Sequence, residues 1–99
     1  MSTIDQLLRS AIANKRLLQL RYEGARRVVE PHDYGVKNAT VSLLAFQVRS
    51  SDPSKKSGWR MLHVSKMSDC VILDETFQGS RGASYRQHHT WDILYARVN

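Results

Sequence analysis

Two cationic side chains, Arg60 and Lys66, and the ionisable side chain of His63 lie on or beside one short apolar run between positions 58 and 67. A cation in such a run is costly unless its charged end reaches water or an anion. A guanidinium can bind phosphate through two hydrogen bonds, whereas an ammonium offers a point charge. The neighbouring Trp59 has a ring that could stack on a base. These residue types together predict an anion-binding site.

Other kinds of site have less support in the sequence. His32 and His63 could contact phosphate or titrate near neutral pH, but no cysteine or carboxylate stands at metal-ligand spacing from them, so we predict no metal and no cofactor. The chain has no glycine-rich phosphate loop and no nucleophile elbow, and we predict that it is not an enzyme. An enzyme acting on nucleotides remains an alternative, because catalytic triads form in space rather than along the chain.

The length and composition indicate one folded domain with anionic partners. The 99 residues carry a net charge of +6, with 41% hydrophobic and 24% charged residues. Such an excess favours nucleic acid as a partner, and the alternative is a solvated basic surface that aids solubility. A single cysteine, Cys70, excludes an intrachain disulfide. With no apolar run near 20 residues and no signal peptide, we expect a cytoplasmic protein without membrane contact.

The elements that must position these residues begin with a helix. Thr3 and Gln6 have the spacing of a capping box, and the apolar residues that follow recur with helical period. Alternating patterns then predict five strands with a first turn at Gly24-Ala25, and Pro31 requires an edge or a bend. The predicted strands are 17–23, 26–36, 40–49, 58–64 and 69–74.

One helix followed by short strands predicts an α+β fold, with the helix packed on a small, strongly bent, five-stranded antiparallel sheet or barrel over residues 1–78. Residues 79–99 would form an extension. Within it, 79–89 is predicted to be a flexible polar arm. The apolar segment 91–98 could be a sixth strand, a docking segment or the contact surface of a homodimer.

Three short motifs resemble those of the WYL domain family, over about residues 3 to 77. The family pattern Arg-x-Val-x-Pro is matched by Arg27-Val28-Val29-Glu30-Pro31, and a second match is Leu43-Leu44-Ala45 at the strand that carries the naming triplet. The pattern Arg-x-Phe-x-Leu-Asp-Arg-Ile corresponds to the run from Arg60 to Met67. The chain looks like a short stand-alone member without the helix-turn-helix that precedes most relatives.

Several positions depart from the family pattern. The naming triplet reads Val41-Ser42-Leu43, so Ser42 stands where the family has its tyrosine. Leu62 replaces an aromatic residue, Ser65 an acidic one and Lys66 an arginine. The resemblance implies an Sm-like five-stranded barrel with an N-terminal helix. It also implies a basic, partly aromatic groove for nucleic acid or a nucleotide-like effector.

The resemblance places Arg60 and Lys66 toward the anionic ligand, and Arg27, His63, Trp59 and Ser42 complete the predicted site. Each has a structural alternative: Arg60 and Lys66 could be ordinary surface cations, and Arg27 could form an ion pair with Glu30 or Asp33. Tyr22 and Phe46 are predicted to be core residues, while Arg49, Lys55 and Lys56 are interpreted as a solvated loop edge that adds nonspecific attraction.

Two functions of different classes follow. The first is a non-enzymatic regulatory or accessory module that binds single-stranded DNA, RNA or a nucleotide effector in a basic groove centred on Arg60. The second is a protein-interaction module that forms a homodimer or docks on a partner regulator through residues 91–98.

Overall fold

In a computed structural model of the protein, the described residues are 3–81 and 91–99. They form one α-helix and a single antiparallel sheet of six strands, which confirms the predicted α+β class and corrects the strand number from five to six. The strand order is β4-β3-β2-β1-β5, with β6 paired to β2. The elements are α1 (Ile4–Ala13), β1 (Arg16–Tyr22), β2 (Ala25–Lys37), β3 (Thr40–Ser50), β4 (Gly58–His63), a 3-10 turn (Val64–Lys66), β5 (Ser68–Thr76) and β6 (Ile93–Arg97).

The helix begins at the predicted capping box. The Thr3 hydroxyl accepts from the Gln6 backbone N–H, and the Gln6 side chain accepts from the Thr3 backbone N–H, both at 3.1 Å. Its buried face packs on the sheet, and the Tyr34 hydroxyl donates to Asp5 at 2.8 Å. In the part of the chain that the structure describes, no helix has the length and hydrophobicity needed to cross a membrane.

Strand β2 is the centre of the sheet. One edge of β2 pairs with β3 along most of the length of β2. The other edge is shared, because β1 pairs with residues 25–29 and β6 pairs with residues 33–36. Pro31, which has no N–H to donate, lies in the gap between those two pairings. A register shift between Pro31 and Asp33 bends the strand there. The edge or bend predicted at Pro31 is confirmed.

A hydrogen bond across the core shows how strongly the sheet curves. Tyr22 pairs with Ala25 at the start of β2, whereas His63 pairs with Ser42, which faces Gly35 near the end of β2. Even so, the backbone N–H of His63 donates to the Tyr22 hydroxyl at 3.0 Å. Residues at opposite ends of the register can meet only if the sheet bends back on itself.

The curved sheet does not close into the barrel that the sequence predicted. Among the described residues β4 pairs with β3, β5 pairs with β1, and no pairing joins β4 to β5. The chain crosses between them through the 3-10 turn at Val64–Lys66. The two outer strands are therefore linked by a turn rather than by a ladder of backbone hydrogen bonds, and the Tyr22 hydroxyl joins β4 to β1.

The C-terminal segment is part of the sheet, which settles one of the alternatives left open for residues 91–98. Val98 belongs to the hydrophobic core, and its N–H donates to the His32 carbonyl at 2.8 Å. Gly35 permits the pairing of β6 with β2, because a Cβ at position 35 would collide with the carbonyl oxygen of Ile93. Tyr22 lies in the same core, as predicted, whereas Phe46 is only half-buried. The core comprises Leu8, Ile12, Leu18, Leu20, Tyr22, Val29, Tyr34, Leu43, Ala45, Leu62 and Val98.

The arm predicted at 79–89 lies mostly outside the described residues. Its described part, 79–81, contacts the rest of the domain through hydrogen bonds. The Ser80 N–H donates to the Asn99 carbonyl at 3.0 Å, and the Arg81 guanidinium pairs with Glu30 at 2.7 Å.

Candidate anion-binding surface

A buried glutamine organises the loop between β3 and β4. Gln47 is fully buried, and its Nε2 donates to the carbonyl oxygens of Lys55 at 3.2 Å and Lys56 at 3.0 Å. Its Oε1 accepts from Nη1 of Arg27 at 3.2 Å. One side chain therefore ties the loop to β2 and fixes the backbone from which two lysines project.

Arg60 belongs to the same loop structure. It pairs with Ala45 across the β3–β4 ladder, and its guanidinium donates to the carbonyls of Trp59, at 2.9 Å, and Lys56. A guanidinium has five N–H groups, so most of its donors remain after these two contacts. Within residues 3–81 and 91–99, no carboxylate lies within ion-pair distance of Arg60.

Lys55, Lys56 and Arg60 together form what we call the basic cluster. The two lysines are exposed, Arg60 is half-buried, and none of the three has an acidic partner in the described part of the chain. The nearby Asp52 forms no ion pair with them: the hydroxyl and backbone N–H of Ser54 donate to its carboxylate and lower the pKa of Asp52, and the charge of Lys55 adds to this effect. By contrast, the exposed or half-buried arginines at positions 9, 16 and 49 are each paired with a carboxylate.

Arg27 sits behind the basic cluster as a buried structural cation. Its side chain is 3% exposed, and its guanidinium lies 5.3 Å from the Tyr22 ring centroid and 3.5 Å from the Glu23 carboxylate. Its Nε is buried without a hydrogen-bond partner. The Arg27 guanidinium therefore contacts the largely exposed Glu23 carboxylate and donates from Nη1 to the buried Gln47 amide. These contacts indicate a structural role rather than a ligand-binding one.

The carboxylates expected to pair with Arg27 have other partners. Glu30 binds Arg81 at 2.7 Å, and Asp33 binds Arg97 at 3.1 Å. Both acids are buried, and each meets an arginine from the C-terminal part of the chain. Sequence proximity favoured Arg27 as the partner, but strand pairing places these acids beside distant residues instead.

Trp59 and Arg60 are directed to opposite faces of β4, because successive side chains of a strand alternate. The Trp59 ring is half-buried and packs edge-on against Phe46, with centroids 5.4 Å apart, and against His32, 4.8 Å apart. Base stacking on Trp59 stays a prediction, and it would use a different face of the strand from the basic cluster.

The remaining predicted residues lie at the other end of β4. Ser42 and His63 are register partners, well along the ladder from the pair formed by Ala45 and Arg60. Ser42 is buried, and its hydroxyl donates to the Thr40 carbonyl at 3.2 Å. The side chains of His63 and Lys66 are exposed. The six residues predicted for the site therefore do not all lie next to one another in the structure.

Sequence reasoning did not single out Gln47, and it interpreted Lys55 and Lys56 as a solvated loop edge, which agrees with their exposure. A signal for Gln47 existed: it continues the inward alternation of Leu43 and Ala45 with a polar residue, and buried polar groups need partners. No comparable signal marks the two lysines, because their position depends on the loop that Gln47 fixes.

Comparisons with protein-family models, with characterised proteins and with solved structures give no match. The resemblance to the WYL family therefore stays a prediction. Within residues 3–81 and 91–99, no three His, Cys, Asp or Glu side chains are grouped as metal ligands would be. The pKa of Cys70 is raised by burial and then by the negative charge of Asp69, which disfavours its reactive thiolate.

Proposed function

We propose that this protein is a non-enzymatic module that binds single-stranded nucleic acid, or the phosphates of a nucleotide effector, through the basic cluster. The observation that carries the proposal is the arrangement of Lys55, Lys56 and Arg60 around one loop without an acidic partner among the described residues. A surface with an excess of positive charge attracts phosphates, and its attraction is independent of sequence.

The loop between β3 and β4 supports such a role because side-chain hydrogen bonds hold its backbone in place. Gln47 and Arg60 both donate to the Lys56 carbonyl, so the two lysines project from a held backbone. Pre-organisation of this kind reduces the ordering cost that binding must overcome. The lysines would then supply point charges to successive phosphates, while Arg60 supplies its remaining donors.

The test is a fluorescence anisotropy titration of a labelled oligothymidylate over a range of salt concentrations. Each phosphate contact with a single strand contributes about −0.7 to the slope of log K against log salt. The double variant Lys55→Gln/Lys56→Gln should lower the magnitude of that slope by about 1.4 if each lysine makes one contact. A control of equal charge, Lys15→Gln/Lys37→Gln, should leave the slope unchanged.

Equal slopes for the two double variants would show that only net charge matters and would refute a defined surface. The absence of any binding by the wild-type protein at low salt would refute the nucleic-acid form of the proposal. The same titration with a labelled mononucleotide then tests the effector form.

We propose that the domain is related to WYL domains, that its fold is of the Sm-like type and that it acts in the cytoplasm. The N-terminal helix, the strand order and the strong curvature of the sheet support an Sm-like type. The single cysteine supports a reducing compartment.

A second candidate function, protein interaction through the C-terminal segment, is favoured by the apolar surface of β6. Ile93 is 53% exposed and Leu94 is 39% exposed. Successive side chains of a strand alternate between its two faces, so these two apolar side chains lie on opposite faces of β6, which pairs only with β2 among the described residues and leaves its other edge available to a partner. Because Val98 is a core residue, truncation of the segment would unfold the domain, and point substitutions are needed instead.

Light scattering across a range of protein concentrations tests this second function. If a homodimer forms through β6, the variant Ile93→Ser/Leu94→Ser should be monomeric at concentrations where the wild type is dimeric. Val71→Ser, which changes a residue that is 50% exposed on β5, serves as the control and should remain dimeric. A monomeric wild-type protein would refute the homodimer.

A further inference from the structure

Two arginines face each other directly at the end of the β1–β2 hairpin. Arg21 pairs with Arg26, immediately before the pair that flanks the turn, Tyr22 with Ala25. The turn is formed by Glu23 and Gly24, which have φ of 50° and 79°. Two positive φ values indicate a type I′ turn, which fixes the register of the hairpin. The juxtaposition of the arginines is therefore built into the backbone.

The backbone contacts of Arg26 show that this pair is of the closer type. The Arg26 N–H donates to the Ser51 hydroxyl at 2.9 Å, and the Arg26 carbonyl accepts from the Ser51 N–H at 2.8 Å. Both contacts lie on the side of β2 that faces away from Arg21. The pair is thus not joined by backbone hydrogen bonds, and such pairs bring their side chains nearest together. Like charges placed directly opposite on one face are destabilising.

No protein group among the described residues compensates this repulsion by direct contact. Both arginines are exposed, and neither guanidinium forms an ion pair or a hydrogen bond within residues 3–81 and 91–99. This distinguishes them from Arg49, on the neighbouring part of the sheet, which binds Glu75 through two hydrogen bonds.

A pocket of about 200 Å³ lies beside the two arginines, and we call it the hairpin pocket. One liquid water occupies about 30 Å³, so the space accommodates a polyatomic anion. The pocket contains one acid, Asp69, which is too far from both guanidiniums to form an ion pair and leaves the lining with a net positive charge. Its lining is Gln19, Leu20, Arg21, Arg26, Asp69 and Val71.

We propose that the hairpin pocket binds a phosphate group held between the guanidiniums of Arg21 and Arg26. An anion between them converts a repulsive pair into two charge-assisted contacts, and guanidinium forks match phosphate oxygens. The phosphate belongs either to a free phosphate or nucleotide or to a nucleic-acid backbone, and the chemistry of recognition is the same for both. This site does not depend on the basic cluster, which is built from a different loop.

Thermal unfolding with added sodium phosphate, at constant ionic strength adjusted with sodium chloride, tests the site. Phosphate should raise the Tm of the wild-type protein more than chloride does, because a ligand of the folded state stabilises it. Arg21→Gln and Arg26→Gln should each require at least about tenfold more phosphate for the same rise, the ratio expected for the loss of one charged hydrogen bond. Lys37→Gln, a cation elsewhere on β2, should behave as the wild type.

The source of the phosphate is identified by two further arms with the same variants. If a mononucleotide raises the Tm and its nucleoside does not, with the rise lost in both variants, the pocket takes free phosphates. The second arm measures the affinity of both arginine variants for oligothymidylate and the phosphate-induced rise in Tm of Lys55→Gln/Lys56→Gln. If both arginine variants bind oligothymidylate more weakly and the lysine variant keeps its rise in Tm, the pocket takes a backbone phosphate. A phosphate-induced rise that persists in the double variant Arg21→Gln/Arg26→Gln would reflect general salt stabilisation and would overturn the proposal.

Discussion

Replacing Gln47 by leucine is the most informative perturbation of the network beneath the basic cluster. Gln47 is fully buried and makes three hydrogen bonds: one accepted from Arg27 and two donated to the carbonyls of Lys55 and Lys56. The substitution Gln47→Leu nearly conserves volume but removes all three. It also leaves the buried Arg27, whose Nε already has no partner, with a second unpaired donor.

The size of the effect follows from the number and kind of these bonds. Each hydrogen bond contributes about 1 kcal/mol to stability, and a buried donor on a charged group left without a partner costs more. Added hydrophobic burial offsets part of the loss. We therefore expect the free energy of unfolding to fall by about 3 kcal/mol. With an m value of about 1.5 kcal/mol per M, the urea midpoint should fall by about 2 M.

Equilibrium urea unfolding measures this directly. The matched control is Gln19→Leu, because Gln19 is a half-buried glutamine on β1 that makes no side-chain hydrogen bond within the described residues. Its midpoint should change by less than about 0.5 M, as expected of surface substitutions. If Gln47→Leu proved as stable as Gln19→Leu, the network would contribute nothing and the argument for a held loop would be wrong.

Three further outcomes are expected. Tyr34→Phe removes the hydrogen bond that lowers the pKa of Asp5, while burial and the same bond raise the pKa of Tyr34 to about 12. The variant should thus have a lower free energy of unfolding than the wild type at pH 7. This difference should shrink as the pH falls below about 4, because Asp5 is protonated as the pH passes through its lowered pKa. An unchanged difference at about pH 2 would contradict this. Gly35→Ala should expose the amides of β6 to hydrogen exchange while those of β1 stay protected, since the added Cβ meets the Ile93 carbonyl. Cys70 should react more slowly with Ellman's reagent at pH 8 than a free thiol, and denaturant should abolish the difference, because burial raises its pKa.

Local patterns in the sequence were sufficient to predict the helix and the first five strands, whereas β6 was one of three alternatives for residues 91–98. The capping box at Thr3 and Gln6 marks the start of α1, and alternation marks the strands to within a few residues. These signals succeed because each is set by neighbours in the chain. The closed barrel failed as a prediction, because closure depends on whether β4 and β5 meet, and no local pattern encodes that long-range pairing.

The hairpin register shows how a small local error alters the chemistry. The sequence favoured a turn at Gly24-Ala25, but the turn is at Glu23-Gly24, with Glu23 itself at positive φ. A shift of one residue changes which side chains face each other. Only the observed register places Arg21 opposite Arg26, so the hairpin pocket could not be inferred before the structure.

The candidate site was predicted in part. Arg60 was singled out because a cation interrupts an apolar strand, and the structure places it half-buried beside two exposed lysines. The contribution of Gln47 depends on a loop folding back over β3, which spacing alone does not reveal. Arg27 was considered for both roles, and its burial beside Glu23 and Gln47 favours the structural one.

The most direct test of the central claim is a titration of the ¹⁵N-labelled protein with oligothymidylate, followed by amide chemical-shift mapping at low salt. If the basic cluster binds the strand, the largest chemical-shift changes should fall on residues 55–60 and should diminish in parallel as salt is added. Changes confined to residues 93–97, or no changes at all, would contradict a nucleic-acid surface built on the basic cluster.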